Sequence, residues 1–135
     1  MAAAGADFDG CIVADMFKGP REFMVGARRD PVFGPVVLVG DGGKYVEALP
    51  DVQVLLAPFT PEDVLAALGK LRVAPLLAGV RGEPPLDCQA LIDAVMAVGR
   101  LMTDGAANVS SLDINPLAVG FEGEGCFALD GVVYA

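Results

Sequence analysis

Residues 112–134 read LDINPLAVGFEGEGCFALDGVVY, and this stretch decides how the rest of the chain is interpreted. Segments 112–119 and 126–134 are rich in β-forming residues, and the glycine-rich stretch 120–125 separates them. Two β-rich segments around a short loop that contains glycine are typical of a β-hairpin. The sequence therefore predicts a hairpin as its last element.

The length of the loop predicts the register of this hairpin. A symmetric loop over 120–125 places Val119 opposite Cys126 and Asn115 opposite Asp130, and directly paired side chains lie about 5 Å apart. Asp113 shares the pleat face of Asn115. Carboxylate and carboxamide oxygens suit Mg²⁺, which also takes water and phosphate oxygens. The alternative is a local role for all three residues in shaping turns, and spacing alone leaves both interpretations open.

Strand signals dominate the first part of the chain. Apolar β-forming runs predict strands at 10–17, 21–29, 36–39, 45–49 and 51–56, with a hairpin turn at 18–20 after the first of them. In the second strand, Phe23, Val25 and Ala27 fall on one face, which we expect to be the buried one.

Helix signals follow the strands. Thr60 is a predicted N-cap before a helix whose apolar stripe comprises Val64, Leu65, Leu68 and Leu71. Proline and glycine then predict a long connection over 75–85. A second helix is expected over 87–102, with its core face formed by Leu91, Ile92, Val95, Val98 and Met102. Grouped strands and helices predict an α+β fold, with a mostly antiparallel sheet and two helices on one face.

Composition limits the classes of partner. The chain has 135 residues, 54% of them hydrophobic, and a formal net charge of -9. This length fits one domain, and the apolar content argues against intrinsic disorder. The acidic excess opposes binding to nucleic acid or to anionic membranes. No apolar run is long enough to span a bilayer, and the N-terminal residues lack the pattern of a secretory signal.

Cysteine and histidine content limits the chemistry. Cys11, Cys88 and Cys126 are far apart and odd in number, which favours reduced thiols in a cytoplasmic protein. The sequence contains no histidine, so a Cys-His nucleophile would need its base from another chain. We therefore expect the cysteines to pack in the core.

The glycine-rich segment 40–44, GDGGK, invites comparison with a phosphate-binding loop. A Walker A motif requires glycine at position 38 and serine or threonine at 45, where this chain has Leu38 and Tyr45. We therefore interpret the segment as a tight turn in which glycine supplies a positive φ.

Five charged residues elsewhere have two interpretations each. Glu22, Arg28, Asp30 and Glu47 stand beside apolar strand positions, where such charges usually form a solvated face. Arg81 lies in an apolar, glycine-flanked segment, from which it could bind a phosphate or carboxylate or form an interior ion pair.

A series of ordered motifs resembles one family. The motifs are REFMVG at 21–26, RDPVFGPVV at 29–37, GGKYVE at 42–47, LLAGVRG at 76–82 and LDINPL at 112–117. Together they resemble the ATP-grasp domain of nucleoside-diphosphate-forming acyl-CoA synthetases, relatives of the succinyl-CoA synthetase β subunit and of ADP-forming acetate-CoA ligase. The resemblance covers residues 10–135 and identifies them as the C-terminal ATP-grasp subdomain, with the N-terminal subdomain absent. Residues 1–9 are expected to be a flexible lead-in.

The resemblance also implies a ligand set. It implies Mg²⁺ and ATP or ADP as cofactors, with Asn115 and Asp130 as metal ligands and Asp113 as a further candidate. It implies nucleotide or phosphate binding by Glu22, Arg28, Asp30, Glu47 and Arg81. It implies no catalytic residue in this chain, because the family transfers phosphate through a histidine that a CoA-binding domain carries.

The resemblance implies that the chain functions as one part of a larger enzyme. We expect the chain to contribute Mg-nucleotide and phosphoryl-transfer contacts to an ADP-forming acid-CoA ligase, and to be inactive without the remaining domains or subunits. The alternative is a non-catalytic regulatory or interaction module derived from such a synthetase, as in acyltransferase fusions. We also expect an apolar edge where the missing subdomain would pack, through which a homo-oligomer can form.

Overall fold

A computed structural model describes residues 10–17, 19–43, 48, 50–105 and 108–135. Within these ranges the helices and strands are β1 (Arg21–Asp30), β2 (Gly34–Asp41), β3 (Val52–Leu56), α1 (Pro61–Leu68), α2 (Ala74–Leu77), α3 (Cys88–Thr103), β4 (Ser111–Val119), β5 (Cys126–Ala128) and β6 (Gly131–Tyr134). The predicted lead-in at 1–9 and the predicted strand residues 45–47 and 49 lie outside the described ranges.

The described strands form one antiparallel sheet. The strand order is β3-β2-β1-β4-β5, and β6 pairs with β4 beside β5. Every strand pair is antiparallel, which confirms the predicted α+β class. β1 and β4 each pair on both sides, so the motif 112–117 lies in an inner strand of the sheet rather than at an edge.

The core lies between one face of this sheet and the helices. Alternate strand residues supply the sheet side of the core: Phe23, Val25, Ala27, Val37, Val39, Leu55, Leu112, Leu117 and Val119. The predicted apolar stripe of α3 is buried against them, at Leu91, Ile92, Val95, Val98 and Met102. The opposite sheet face exposes Glu22 and Asp113. One face of the sheet is therefore left open to hold polar groups.

Local hydrogen bonds determine where the helices begin. The Thr60 hydroxyl accepts from the Asp63 amide, and the Asp63 carboxylate accepts from the Thr60 amide, so α1 begins with a reciprocal capping box. Asp87 caps α3 by accepting from the Ala90 amide at 3.0 Å. The apolar stripe predicted for α1 is wrong at Leu65, which is 54% exposed on the outer side of the helix.

Two further predictions of secondary structure are wrong. Residues 10–17 form no strand, and Ile12 and Val13 are 97% and 92% exposed. A run of β-forming residues becomes a strand only when another strand pairs with it. In this segment Phe17 contacts Phe127, with the two ring centroids 4.3 Å apart. The predicted connection at 75–85 contains the short helix α2.

No helix in the described ranges combines the length and the apolar character needed to cross a bilayer.

Candidate functional site

The terminal hairpin has the register that its loop length predicts. Val119 pairs with Cys126 in β5, and Ile114 pairs with Gly131 in β6. Between these pairs, the amide of Asn115 donates to the carbonyl oxygen of Asp130 at 3.2 Å. Asn115 and Asp130 are therefore neighbours across the hairpin.

An irregularity in the sheet coincides with Asn115. The pairing of β1 with β4 shifts register between Phe23 and Val25. On β4, Leu112 and Leu117 are both buried although they are five positions apart. In a regular strand, residues an odd number of positions apart lie on opposite faces. Such bulges redirect side chains locally. Asn115 lies at this change, and the sequence alone does not indicate it.

The Asn115 side chain contacts a turn that is distant in sequence. Its Oδ1 accepts a hydrogen bond from the Gly43 amide at 3.4 Å. The Glu22 carboxylate lies against the same glycine, because a Cβ atom on Gly43 would stand 2.7 Å from Glu22 Oε2. The structure thus brings Glu22 and Asn115 together at Gly43, on the open face of the sheet.

The glycine turn has strict steric requirements. Gly42 donates its amide to the Glu22 carbonyl oxygen at 3.0 Å, and any Cβ atom on Gly42 would overlap the backbone of Phe23. Gly43 has a φ of +87°, which L-residues with side chains adopt at a cost. The positive φ predicted for a glycine of this segment is confirmed at Gly43, whereas Gly40 and Asp41 belong to β2.

The two candidate carboxylates are open to solvent. Asp113 and Asp130 are both exposed, and Asp113 Oδ1 lies 3.5 Å from the position of a Cβ atom on Gly26 of β1. No cluster of three Asp, Glu, Cys or His side chains able to hold a metal ion occurs in the described residues. A metal here would therefore need the carboxamide oxygen of Asn115, and water or phosphate oxygens, besides carboxylates.

A cleft adjoins the glycine turn. It has a volume of about 360 Å³ and is lined by Gly19, Pro20, Arg21, Glu22, Asp41 and Gly42. An ion pair joins Arg21 Nη2 to Asp41 Oδ1 at 2.9 Å. The Nε atom of Arg21 is buried and has no hydrogen-bond partner among the described residues. Sequence analysis did not single out Arg21 or Asp41, because nothing in their local pattern indicates that they meet.

Arg28 and Asp30 lie at the other end of β1 from Glu22. Asp30 Oδ1 accepts from the amides of Val32 and Phe33 at 2.9 and 3.0 Å, and these bonds, that of Phe33 first, lower the pKa of its carboxyl. The Arg28 guanidinium stands 3.7 Å from Asp30 with its side chain 68% exposed. The structure gives Asp30 a turn-forming role and does not bring either residue to Asn115.

Arg81 occupies a strained loop. Its φ is +54°, between Gly79 and Gly82 at +80° and +85°. The residue is exposed and forms no ion pair with any described residue. A left-handed conformation is unusual for a residue with a side chain and accompanies functional positions in many proteins. The remaining predicted site residue, Glu47, lies outside the described residues.

The cysteines are free thiols. Burial raises the pKa of Cys88 and of Cys126, and the Asp87 carboxylate adds to the effect at both. Both side chains pack against the core. A raised pKa leaves little reactive thiolate, which fits the packing role predicted for these two residues. Cys11 is exposed instead.

The sequence is similar to those of known proteins. Residues 1–134 match the model of a family described as the ATP-grasp domain. The chain is 43% identical over 112 residues to the β subunit of ADP-forming acetate–CoA ligase I of Pyrococcus furiosus, a match that covers 83% of this chain and 48% of that one. It is 38% identical over 125 residues to the ADP-forming 4-hydroxybutyrate–CoA ligase of Nitrosopumilus maritimus, covering 93% of this chain and 18% of that one.

A solved structure shares the fold. Dinucleotide forming acetyl-coenzyme A synthetase 1 of Ca. Korarchaeum cryptofilum, in complex with coenzyme A and Mg-AMPPCP, matches with a TM-score of 0.79 and 32% identity, covering 87% of this chain and 54% of that one. The chain thus spans about half of that polypeptide or of the acetate ligase subunit, and less of the 4-hydroxybutyrate ligase. The extent of the family match, supported by these relatives, shows that the chain belongs to the ATP-grasp domain family.

Proposed function

We propose that this chain forms the Mg²⁺- and phosphate-binding half of the ATP-grasp site of an ADP-forming acyl-CoA ligase. The observation that carries the proposal is the pairing of Asn115 with Asp130 across the hairpin, on a sheet whose open face also holds Glu22 at Gly43. The relatives named as ADP-forming acid–CoA ligases support the reaction class. That reaction converts an acid, CoA and ATP into acyl-CoA, ADP and phosphate.

The donor set fits a magnesium ion. Asn115 Oδ1 and the Asp130 carboxylate would be ligands, and the exposed Asp113 carboxylate would be a further one. These are hard oxygen donors, of the number and kind that Mg²⁺ takes when it keeps water and phosphate oxygens as well. When bound, the ion would neutralise charge on the transferring phosphoryl group. The role of the chain is to hold these oxygens at fixed positions before the nucleotide arrives.

Five residues are proposed as nucleotide or phosphate contacts. Glu22 lies at Gly43 beside the proposed metal ligands, so its carboxylate would restrict where the nucleotide binds. Arg81 is proposed as a phosphate contact because the family resemblance points to it, and its exposed side chain forms no ion pair with a described residue. Arg28, Asp30 and Glu47 are proposed as nucleotide or phosphate contacts on the family resemblance alone.

The chain would need further domains or subunits to catalyse this reaction. It contains no histidine to carry a phosphoryl group, and this half of a cleft offers few cations to oppose the phosphates. The proposed partners are an N-terminal ATP-grasp subdomain and a CoA-binding domain with the phosphohistidine. ATP-dependent acyl-CoA formation by this polypeptide alone would contradict the proposed half-site.

The metal proposal can be tested with Mn²⁺ as a probe, followed by the electron paramagnetic resonance signal of the free ion and by Mg²⁺ competition. Asn115→Ala and Asp130→Ala should each weaken binding by at least the ~10-fold typical of losing even an outer-shell partner. Asp93→Ala is the matched control, since Asp93 is exposed on α3 and, among the described residues, its side chain accepts a hydrogen bond from Gln89. Parent-like binding by both site variants would refute the ligand assignment and favour a regulatory module.

A further inference from the structure

The ion pair between Arg21 and Asp41 joins the ends of two neighbouring strands. Arg21 begins β1 and Asp41 ends β2, where Asp41 is already paired with Phe23. The Arg21–Asp41 contact of 2.9 Å therefore bridges the strands diagonally, beyond their last paired residues. The two side chains are 32% and 29% exposed, so solvent screens this pair less than a surface pair.

The chain reaches the candidate site immediately after Asp41. Gly42 bonds the Glu22 carbonyl oxygen, and Gly43 bonds Asn115 Oδ1. The Gly43 bond is 3.4 Å long, near the outer limit of a hydrogen bond. A bond of this length is lost after a small displacement of its donor, and Asp41 lies only two residues before that donor.

Arg21 is an unusual choice if its role is only to stabilise the sheet. Its Nε–H is buried without an acceptor among the described residues, and leaving a buried donor unsatisfied is unfavourable. Buried polar groups without hydrogen-bond partners occur preferentially at functional sites.

We infer that the Arg21–Asp41 ion pair is a positioning device, which holds the Gly42–Gly43 turn so that the Gly43 amide orients the Asn115 side chain. This inference rests on the proposed function in so far as Asn115 is a metal ligand. A carboxamide oxygen has two lone pairs. The Gly43 amide occupies one and thereby selects Oδ1, leaving the second for a cation. Outer-shell donors that orient a ligand in this way are integral parts of metal sites.

The first test needs no metal. In ¹⁵N-labelled full-length chain, Arg21→Gln should shift the Gly43 amide proton upfield and collapse the Asn115 side-chain amide pair towards a random-coil position. Arg21→Lys should restore both signals, because it keeps the ion pair. Arg72→Gln should change neither, since Arg72 is exposed and forms no ion pair with the described residues. If Arg21→Gln does not fold, Asp41→Asn removes the charge at nearly constant shape and carries the same test.

The second test follows Mg²⁺ titration through the same Asn115 resonances. Arg21→Gln should weaken Mg²⁺ binding about 10-fold, with recovery in Arg21→Lys. Unchanged Gly43 and Asn115 signals in Arg21→Gln, or no rescue by lysine, would overturn the positioning role. If the parent chain shows no response to Mg²⁺ while the metal-free shifts occur as expected, the proposed metal function fails and the orientation of Asn115 by Arg21 stands.

Discussion

One carboxylate oxygen of Asp87 accepts a hydrogen bond from the amide of Gly125, at 2.9 Å. The same oxygen accepts from Gly123 at 3.0 Å, while the other oxygen caps α3 at Ala90. One side chain therefore both begins α3 and holds the loop that fixes the hairpin register. The amide bonds, that of Ala90 first, lower the pKa of Asp87.

Asp87→Asn should separate these two tasks. Asparagine is a good N-cap, yet its amide nitrogen cannot accept from the glycine amides. We expect the thermal midpoint to fall in Asp87→Asn and to fall further in Asp87→Ala. Differential scanning calorimetry at pH 7 measures the order, and equal midpoints for Asp87→Asn and the parent would show that the loop bonds contribute nothing.

The lowered pKa of Asp87 also predicts a dependence of stability on pH. A carboxyl with a depressed folded-state pKa stabilises the fold fully above its unfolded pKa of about 3.9. This contribution is lost as pH falls through the lower folded-state value. Urea unfolding between pH 7 and pH 3 should show a difference between parent and Asp87→Ala that narrows below pH 4. A constant difference would contradict the assignment.

Gly42→Ala should destabilise the fold because the new Cβ atom overlaps the backbone of Phe23. Overpacking of this kind costs about 1–3 kcal/mol. Gly105→Ala is the matched control, since a Cβ atom there has no atom of the described part of the chain within 4 Å. Urea unfolding followed by circular dichroism compares the two variants, and equal free energies of unfolding would show that the turn relaxes without cost.

Gly43→Ala should affect the candidate site as well as the backbone. Gly43 and Gly34 both have positive φ, but only at Gly43 does a Cβ atom meet a side chain, Glu22 Oε2 at 2.7 Å. Both alanine variants share the backbone cost of a left-handed conformation, about 1–2 kcal/mol. Only Gly43→Ala should shift the Glu22 side-chain resonances in carboxyl-detected NMR. A similar shift of the Glu22 resonances in Gly34→Ala would show that the effect does not come from the contact between Gly43 and Glu22.

The three thiols should react at different rates. Cys11 is exposed, whereas Cys88 and Cys126 are partly buried with raised pKa values. Since the thiolate is the nucleophile, iodoacetamide at pH 8 should modify Cys11 well before the other two. Mass spectrometry of peptides over time measures this order, and unfolding in urea should abolish it. Fast reaction at Cys126 would contradict its packing against α3.

Local patterns predicted much of this fold. The predicted cap at Thr60 indicated where α1 begins, because helix starts depend on side chains within three residues. The alternation of Phe23, Val25 and Ala27 predicted the buried face of β1. The β-forming run at 10–17 failed for the complementary reason, since a strand requires a partner that no local pattern provides.

For the candidate site, the sequence by itself predicted that Asn115 and Asp130 would be neighbours, because a symmetric loop over 120–125 places them opposite each other. The tertiary structure alone decided that Asn115 would contact Gly43 beside Glu22, and that Arg21 would pair with Asp41. Asn115 and Gly43 lie far apart in the chain, and the register shift between β1 and β4 coincides with Asn115. Such a shift depends on how complete strands pack together, which is a property of the assembled sheet.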